Sequence, residues 1–266
     1  MRLCGIVGML MILFSMLNLF IFRLEPFLSW NFPIIWFGLI FFIDGLVYEL
    51  RKKSLITNSP KRFIGMLLLS VVIWWTFEFF NFFIKNWSYH NIPEPKPFAF
   101  SVAFSTVLPA VMEMFDLISS FNIFKKIRIQ FKASNRTVSL MFLLGAITLI
   151  LLIVLPTYFF WTVWLSLFLL FEPINYLRKQ ESILLYIEKG KSRLVFSLLF
   201  AGLACGFLWE FFNYFSLAGW SYSIPWVSET FPKIFEMPLL GYLGYLPFSL
   251  ELFAMYQFAM SFLVRK

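Results

Sequence analysis

Apolar residues fill this chain in long blocks, without the alternation of a half-buried strand. Apolar stretches cover 3–22, 27–48, 63–84, 138–155, 158–176 and 194–215; two more lie within 99–124 and before 264. Each approaches the roughly 20 residues that a helix needs to cross a bilayer. Strands are a poor alternative, because an open sheet edge leaves backbone groups unpaired in lipid. The pattern therefore predicts an all-α, polytopic membrane helix bundle of about eight transmembrane helices. Pro33 lies near the start of the second helix, and Pro156 breaks the fifth from the sixth. The first apolar run follows Arg2 as in a signal peptide. It is too long for the usual apolar core of one and lacks a small-x-small cleavage site after it, so it reads as a retained span.

The polar residues inside these blocks recur. Glu78-Phe79-Phe80-Asn81-Phe82-Phe83 returns 132 positions later as Glu210-Phe211-Phe212-Asn213-Tyr214-Phe215. A Trp-Ser-Tyr follows each copy, at Trp87 to Tyr89 and at Trp220 to Tyr222. Trp36, Asp44 and Tyr48 correspond to Trp164, Glu172 and Tyr176, while Leu108, Pro109 and Glu113 correspond to Leu246, Pro247 and Glu251. Residues 1–130 and 131–266 are thus read as two membrane repeats of four helices each. An even helix count gives both the same orientation, as parallel repeats about an axis along the membrane normal. The correspondence starts the fourth helix near Thr106 and the eighth at 244, leaving 94–105 and 226–243 as interfacial or re-entrant segments.

Composition and charge agree with this reading. Only 14% of the chain is charged, 61% is hydrophobic and the mean hydropathy is +0.81, against about 25% charged residues in ordinary soluble domains. With the N-terminus in the cytoplasm, 18 of the 22 Lys and Arg residues fall on the cytoplasmic side, leaving Arg23, Lys85, Lys96 and Lys233 outside. This bias predicts an integral membrane protein with both termini cytoplasmic. It also accounts for the net charge of +8 without nucleic acid as a partner. Cys4 and Cys205 lie in apolar stretches and imply no disulfide framework. His90 is the only histidine, which excludes a His-clustered metal site. No phosphate loop, dinucleotide fingerprint, zinc motif or nucleophile elbow occurs, so no cofactor is specified.

Seven carboxylates remain inside the predicted spans: Asp44, Glu78, Glu113, Asp116, Glu172, Glu210 and Glu251. Each costs about 2.5–3.5 kcal/mol at mid-membrane if ionised, so such residues face interiors or cavities. Helix positions predict an outer layer of Glu78, Glu113, Glu210 and Glu251, with Glu78 approaching Glu113 and Glu210 approaching Glu251. Asn81 and Asn213 lie one turn further out. Asp44 and Glu172 lie on the cytoplasmic side, where Tyr48 and Tyr176 follow at i+4 as donors. The Glu and Asn pairs fit either chemistry or helix-to-helix hydrogen bonding. Trp87, Tyr89, Trp220 and Tyr222 fit either a substrate-binding wall or an aromatic belt. Asp116 has no counterpart, since Ala254 stands at its equivalent.

An acid in one helix, then Trp-x-Tyr, then a Leu-Pro helix start carrying a Glu, resembles the lycopene cyclase domain of the small heterodimer-type carotenoid cyclases. The matching positions are Glu78, Trp87, Tyr89, Leu108, Pro109 and Glu113, then Glu210, Trp220, Tyr222, Leu246, Pro247 and Glu251. That family also has two tandem membrane repeats, of three helices rather than four. Its signature sets acids two and three residues after proline, where this chain has one acid four residues after it. The resemblance implies acid-catalysed chemistry on an isoprenoid or polyene. Glu113 and Glu251 would be the acids, and Glu78, Glu210, Asn81 and Asn213 would orient them. Two other classes stay open: a proton- or cation-coupled transporter or lipid-binding protein, and an accessory subunit without catalysis. In the first two the partner is a membrane lipid, hydrophobic small molecule or ion.

Overall fold

The computed structural model describes residues 3–121 and 123–263. Helix α1 (Leu3–Leu17) continues through a wider turn to Phe22 and packs along α2 (Asn31–Arg51). A short α3 (Leu55–Asn58) leads to α4 (Pro60–Ile84), the strand β1 (Trp87–His90), α5 (Lys96–Phe104) and α6 (Val107–Ser120). The second half runs α7 (Asn135–Val154), α8 (Pro156–Phe159), a tight turn over Phe160–Trp164, and α9 (Ser166–Leu177). Then come α10 (Ile183–Glu188), α11 (Ser192–Phe215), β2 (Gly219–Tyr222), α12 (Val227–Thr230), the strand pair β3 (Lys233–Ile234) and β4 (Met237–Pro238), and α13 (Tyr245–Leu263).

Seven helical stretches among the described residues are long and apolar enough to cross a membrane, ending with Ser192–Phe215. They are the spans of an integral membrane protein. The nineteen-residue α13 occupies the eighth expected position and is not among these seven. Large apolar side chains are exposed along these helices, among them Leu10, Leu13, Leu68, Val72, Leu143 and Ile150. Exposed apolar surface on this scale suits lipid rather than water. The main core draws on both halves, with α6 packed on α2 and α11, and α13 packed on α9 and α11.

Three local features differ from the sequence-based expectation. Residues 96–104 form a helix instead of an interfacial segment, and with α6 they make one 25-residue stretch, Lys96–Ser120. Ser70 bridges the joint, donating to the Phe104 carbonyl at 2.5 Å and accepting from Leu108 N at 3.0 Å. Pro109 sits in the first turn of α6, where a missing N–H costs little. The stretch expected as one helix over 158–176 is instead broken at Leu165. The Thr162 and Ser166 hydroxyls donate to backbone carbonyls there, a local competition that loosens a helix. Finally, the Trp-Ser-Tyr segments pair with each other as strands instead of lying in a lipid-facing belt.

Candidate functional site

The repeated asparagines build the turn after each long helix. Asn81 Oδ1 accepts from Asn86 N at 3.0 Å and Trp87 N at 3.3 Å, and Asn81 Nδ2 donates to the Trp87 carbonyl at 2.9 Å. Asn213 does the same for Trp220, accepting from its N–H and donating to its carbonyl, both at 2.8 Å. Gly219 permits this approach, since a Cβ there would run into Asn213 Oδ1. Both asparagine side chains are thus committed to backbone, and neither orients a carboxylate. The strands so positioned pair antiparallel, Trp87 with Tyr222, Ser88 with Ser221, and Tyr89 with Trp220. The ribbon ties the end of α4 to the end of α11.

Behind the ribbon lie Glu78 and Glu210. Glu78 Oε1 accepts three bonds: from Trp74 Nε1 at 2.9 Å, Trp87 Nε1 at 3.0 Å and the Tyr89 hydroxyl at 2.5 Å. Glu210 Oε1 accepts from the Tyr222 hydroxyl at 2.7 Å and the Tyr245 hydroxyl at 2.5 Å, while Trp220 Nε1 donates to the Tyr222 oxygen at 2.7 Å. The donors differ at two points: Trp87 reaches Glu78 directly whereas Trp220 reaches only Tyr222, and the place of Trp74 is taken by another residue. Position 206, which matches Trp74, is glycine, and a Cβ there would overlap the Tyr245 ring. The tyrosine from α13 therefore fills the place that an indole fills in the first half. Burial, reinforced by the neighbouring carboxylates, pushes the Tyr89 and Tyr222 phenols well above their ordinary range. Both are protonated donors at neutral pH.

The rings that donate to these acids also face a cavity of about 360 Å³ between the two halves. Its wall includes Trp74, Trp87 and Tyr89 from one half and Trp220, Tyr222 and Tyr245 from the other, closed by Trp164, Trp209 and Phe248. Neither glutamate lines it. Trp164 stacks on Trp87 with centroids 5.6 Å apart and 25° between planes. Trp164 also lies 5.4 Å from Phe77, and its counterpart Trp36 lies 5.2 Å from Trp209, so each half sends an indole onto the other half's long helix. Such a chamber can hold an apolar, flat or electron-poor group against ring faces. Its polar handles are the phenols backed by carboxylates.

The other two acids lie elsewhere. Glu113 is seventeen residues into Lys96–Ser120, about 25 Å along the axis at 1.5 Å per residue. Glu78 is six residues from the ribbon end of α4, so the expected meeting of Glu78 with Glu113 does not form. Continuation of the helix through 96–104 carries Glu113 to the level of Asp44, Arg51 and Asp116. Glu251 is six residues beyond Tyr245 and accepts from Leu167 N at 2.7 Å and Phe168 N at 3.3 Å. The expected meeting of Glu210 with Glu251 is likewise replaced by Glu210 with Tyr245. Asp44 and Glu172 each receive a backbone N–H from the short helix that follows their own, Ile56 N and Leu184 N, both at 2.7 Å. Tyr176 donates to Glu188 at 2.5 Å instead of to Glu172. Asp116, which has no counterpart, forms an ion pair with Arg51 at 2.8 Å.

Some of the cavity wall was absent from the sequence-based candidates. Trp74 carries a signal, being one helical turn before Glu78. Trp209 stands next to Glu210 in the chain, whereas Tyr245 and Phe248 carry no signal, because they reach the cavity from α13, distant in sequence. Comparison of the chain with family models, curated proteins and solved structures finds no match in any of the three. The class defined by the fold is an α-helical integral membrane protein, and its function has to be argued from the site itself.

Proposed function

We propose that this protein binds a lipid-soluble isoprenoid or polyene in the aromatic cavity between two parallel repeats, with its termini in the cytoplasm. One observation carries the reading: indole and phenol rings that line one chamber from both halves donate N–H and O–H groups to carboxylates that do not line it. An elongated conjugated ligand gains dispersion from the rings and meets few polar atoms. The equivalent hydrogen bonds of Asn81 and Asn213, and the mutual pairing of the two Trp-Ser-Tyr strands, support the repeat. Orientation rests on the distribution of Lys and Arg, which puts the ribbon and cavity in the outer half of the bilayer.

A catalytic version of this reading moves the acid. Glu113 and Glu251 do not line the chamber, whereas Tyr222 and Tyr245 do and share Glu210. The second oxygen of Glu210 is buried and has no partner, which favours this pair as the site's proton store. Energy transfer from the cavity tryptophans to the fluorescent polyene trans-parinaric acid tests binding in liposomes. Saturable transfer is expected in the wild type and at least a tenfold weaker affinity in Ala103→Trp, which fills the chamber. Equal affinity in both would overturn the reading. A change in extracted isoprenoids between cells expressing wild type and Glu210→Gln would add catalysis to binding; unchanged isoprenoids would limit the function to binding.

A further inference from the structure

The opposite end of the bundle holds a second polar feature, independent of the cavity. Glu113 is 1% exposed, and neither of its carboxylate oxygens has a hydrogen-bond donor. Asp44, on the facing helix α2, lies beside its carboxyl. Asp44 is itself engaged: Oδ1 accepts from Ile56 N at 2.7 Å and Oδ2 from the Thr57 hydroxyl at 3.0 Å. Two carboxyl groups can hydrogen-bond to each other only if one carries a proton. With both ionised, Glu113 would be a buried charge facing a like charge, the costliest arrangement available to it.

Among the described residues, the charged and thiol groups around this end of the bundle are bonded to partners other than Glu113, although Arg51 acts on it from a distance. On α2, Arg51 is held by Asp116 at 2.8 Å and by the Ser119 hydroxyl at 2.5 Å. On α4, Arg62 donates to Tyr256 of α13 at 2.6 Å. On α1, the Cys4 thiol faces Asp44 and donates to the Phe41 carbonyl at 3.7 Å. On α11, the Cys205 thiol donates to the Ala110 carbonyl at 3.6 Å.

The second half shows what an acid at this position requires when it is satisfied. Trp36 matches Trp164, so Leu39 and Ile40 match Leu167 and Phe168. Leu167 and Phe168 lie just beyond the break at Leu165, and their free N–H groups go to Glu251. In the first half α2 runs unbroken from Asn31 to Arg51, so the N–H groups of Leu39 and Ile40 are consumed within the helix. Glu113 keeps the acid without the donors.

We infer that Glu113 and Asp44 form a proton-binding site, the two carboxyl groups sharing one proton between α6 and α2. The route to water runs past the Asp116–Arg51 pair, whose side chains are 39% and 34% exposed. Proton occupancy then sets the contact between α2 and α6: with the proton the two side chains bond, and without it they repel.

Infrared spectroscopy of the full-length protein in liposomes tests this. At neutral pH the wild type should show a protonated-carboxyl C=O stretch that shifts in deuterated water and is lost in Glu113→Gln. Asp44→Asn provides a second variant and should shift the same band by changing the partner of the proton, while Glu251→Gln should leave it in place. Glutamine retains a hydrogen bond to Asp44, and near-ultraviolet circular dichroism verifies folding of each variant. An unchanged carboxyl band in both folded variants would overturn the proposal. So would a wild type without the band whose melting temperature rises on adding sodium, because the pair would then be ionised and hold a cation.

Discussion

Glu113 and Glu251 stand at matching positions of the two halves, yet they are opposites in hydrogen bonding. Both are buried to 1% or less. Glu251 accepts two backbone N–H groups from the start of α9, and Glu113 accepts none. The difference lies in the partner helix and not in the acid. A tight turn over Phe160–Trp164 interrupts the sixth span and frees two donors, while α2 is continuous. The same residue type in the same place is a structural cap in one half and an open site in the other. A broken helix beside a buried acid marks architecture here; an intact helix beside one marks a group free to exchange a proton.

This contrast predicts the largest difference in stability. Glu251→Ala leaves two buried N–H groups without acceptors and opens a cavity, at a cost of about 3–5 kcal/mol. Glu113→Leu removes an acid that no donor holds, and replacing such a group by an apolar one is expected to be neutral or stabilising by about 1 kcal/mol. Thermal unfolding of the two variants in one detergent is the comparison. If both lost stability equally, Glu113 would have a structural partner and the distinction between the halves would fail.

A second difference lies around Glu78 and Glu210, where Trp74 and Tyr245 take equivalent roles from different elements. Gly206→Ala puts a Cβ into the Tyr245 ring. Overpacking of that kind costs about 1–3 kcal/mol, and here it should also withdraw a donor from Glu210. Tyrosine fluorescence and the unfolding midpoint would both change. Gly65 in α4 has open space where a Cβ would stand, and it supplies the control. Gly65→Ala should leave the midpoint the same or slightly higher, as alanine favours helix by about 1 kcal/mol.

The membrane class and the positions of most helices were legible in the block pattern, because the bilayer demands about twenty apolar residues whatever the tertiary fold. Of the recurring residues, Asn81 and Asn213 have matching hydrogen bonds and so do Tyr89 and Tyr222, whereas Trp87 donates to Glu78 and Trp220 to Tyr222. Depth was less legible. Placing Glu113 beside Glu78 depended on starting the fourth helix at Thr106, and one turn pinned by Ser70 lets the helix run back to Lys96. The Trp-Ser-Tyr segments looked like belt residues because aromatics at a membrane surface are ordinary, and nothing local signals that two segments so distant in sequence will pair. The break at Leu165 was hidden by apolar neighbours, its only polar mark being Thr162 and Ser166, whose hydroxyls bond to backbone carbonyls there.

The smallest effect should come from the phenols, and it should still separate the halves. Tyr89→Phe leaves Glu78 with two indole donors, Trp74 and Trp87, so the loss is expected below about 1 kcal/mol. Tyr222→Phe leaves Glu210 with Tyr245 alone and strips Trp220 Nε1 of its acceptor, for a cost of about 1–2 kcal/mol. The alkaline limb gives a further test. Burial first and the carboxylate second raise both phenols above their unfolded value. Their contribution is therefore complete below about pH 10 and is lost as pH rises towards the raised values, where the unfolded chain ionises more readily. Tyr222→Phe should flatten the fall in stability above pH ~10 by removing one of these groups. An alkaline limb unchanged in Tyr222→Phe would mean that the Glu210 cluster does not hold its phenol protonated, and the cavity would lose the proton store assigned to its wall.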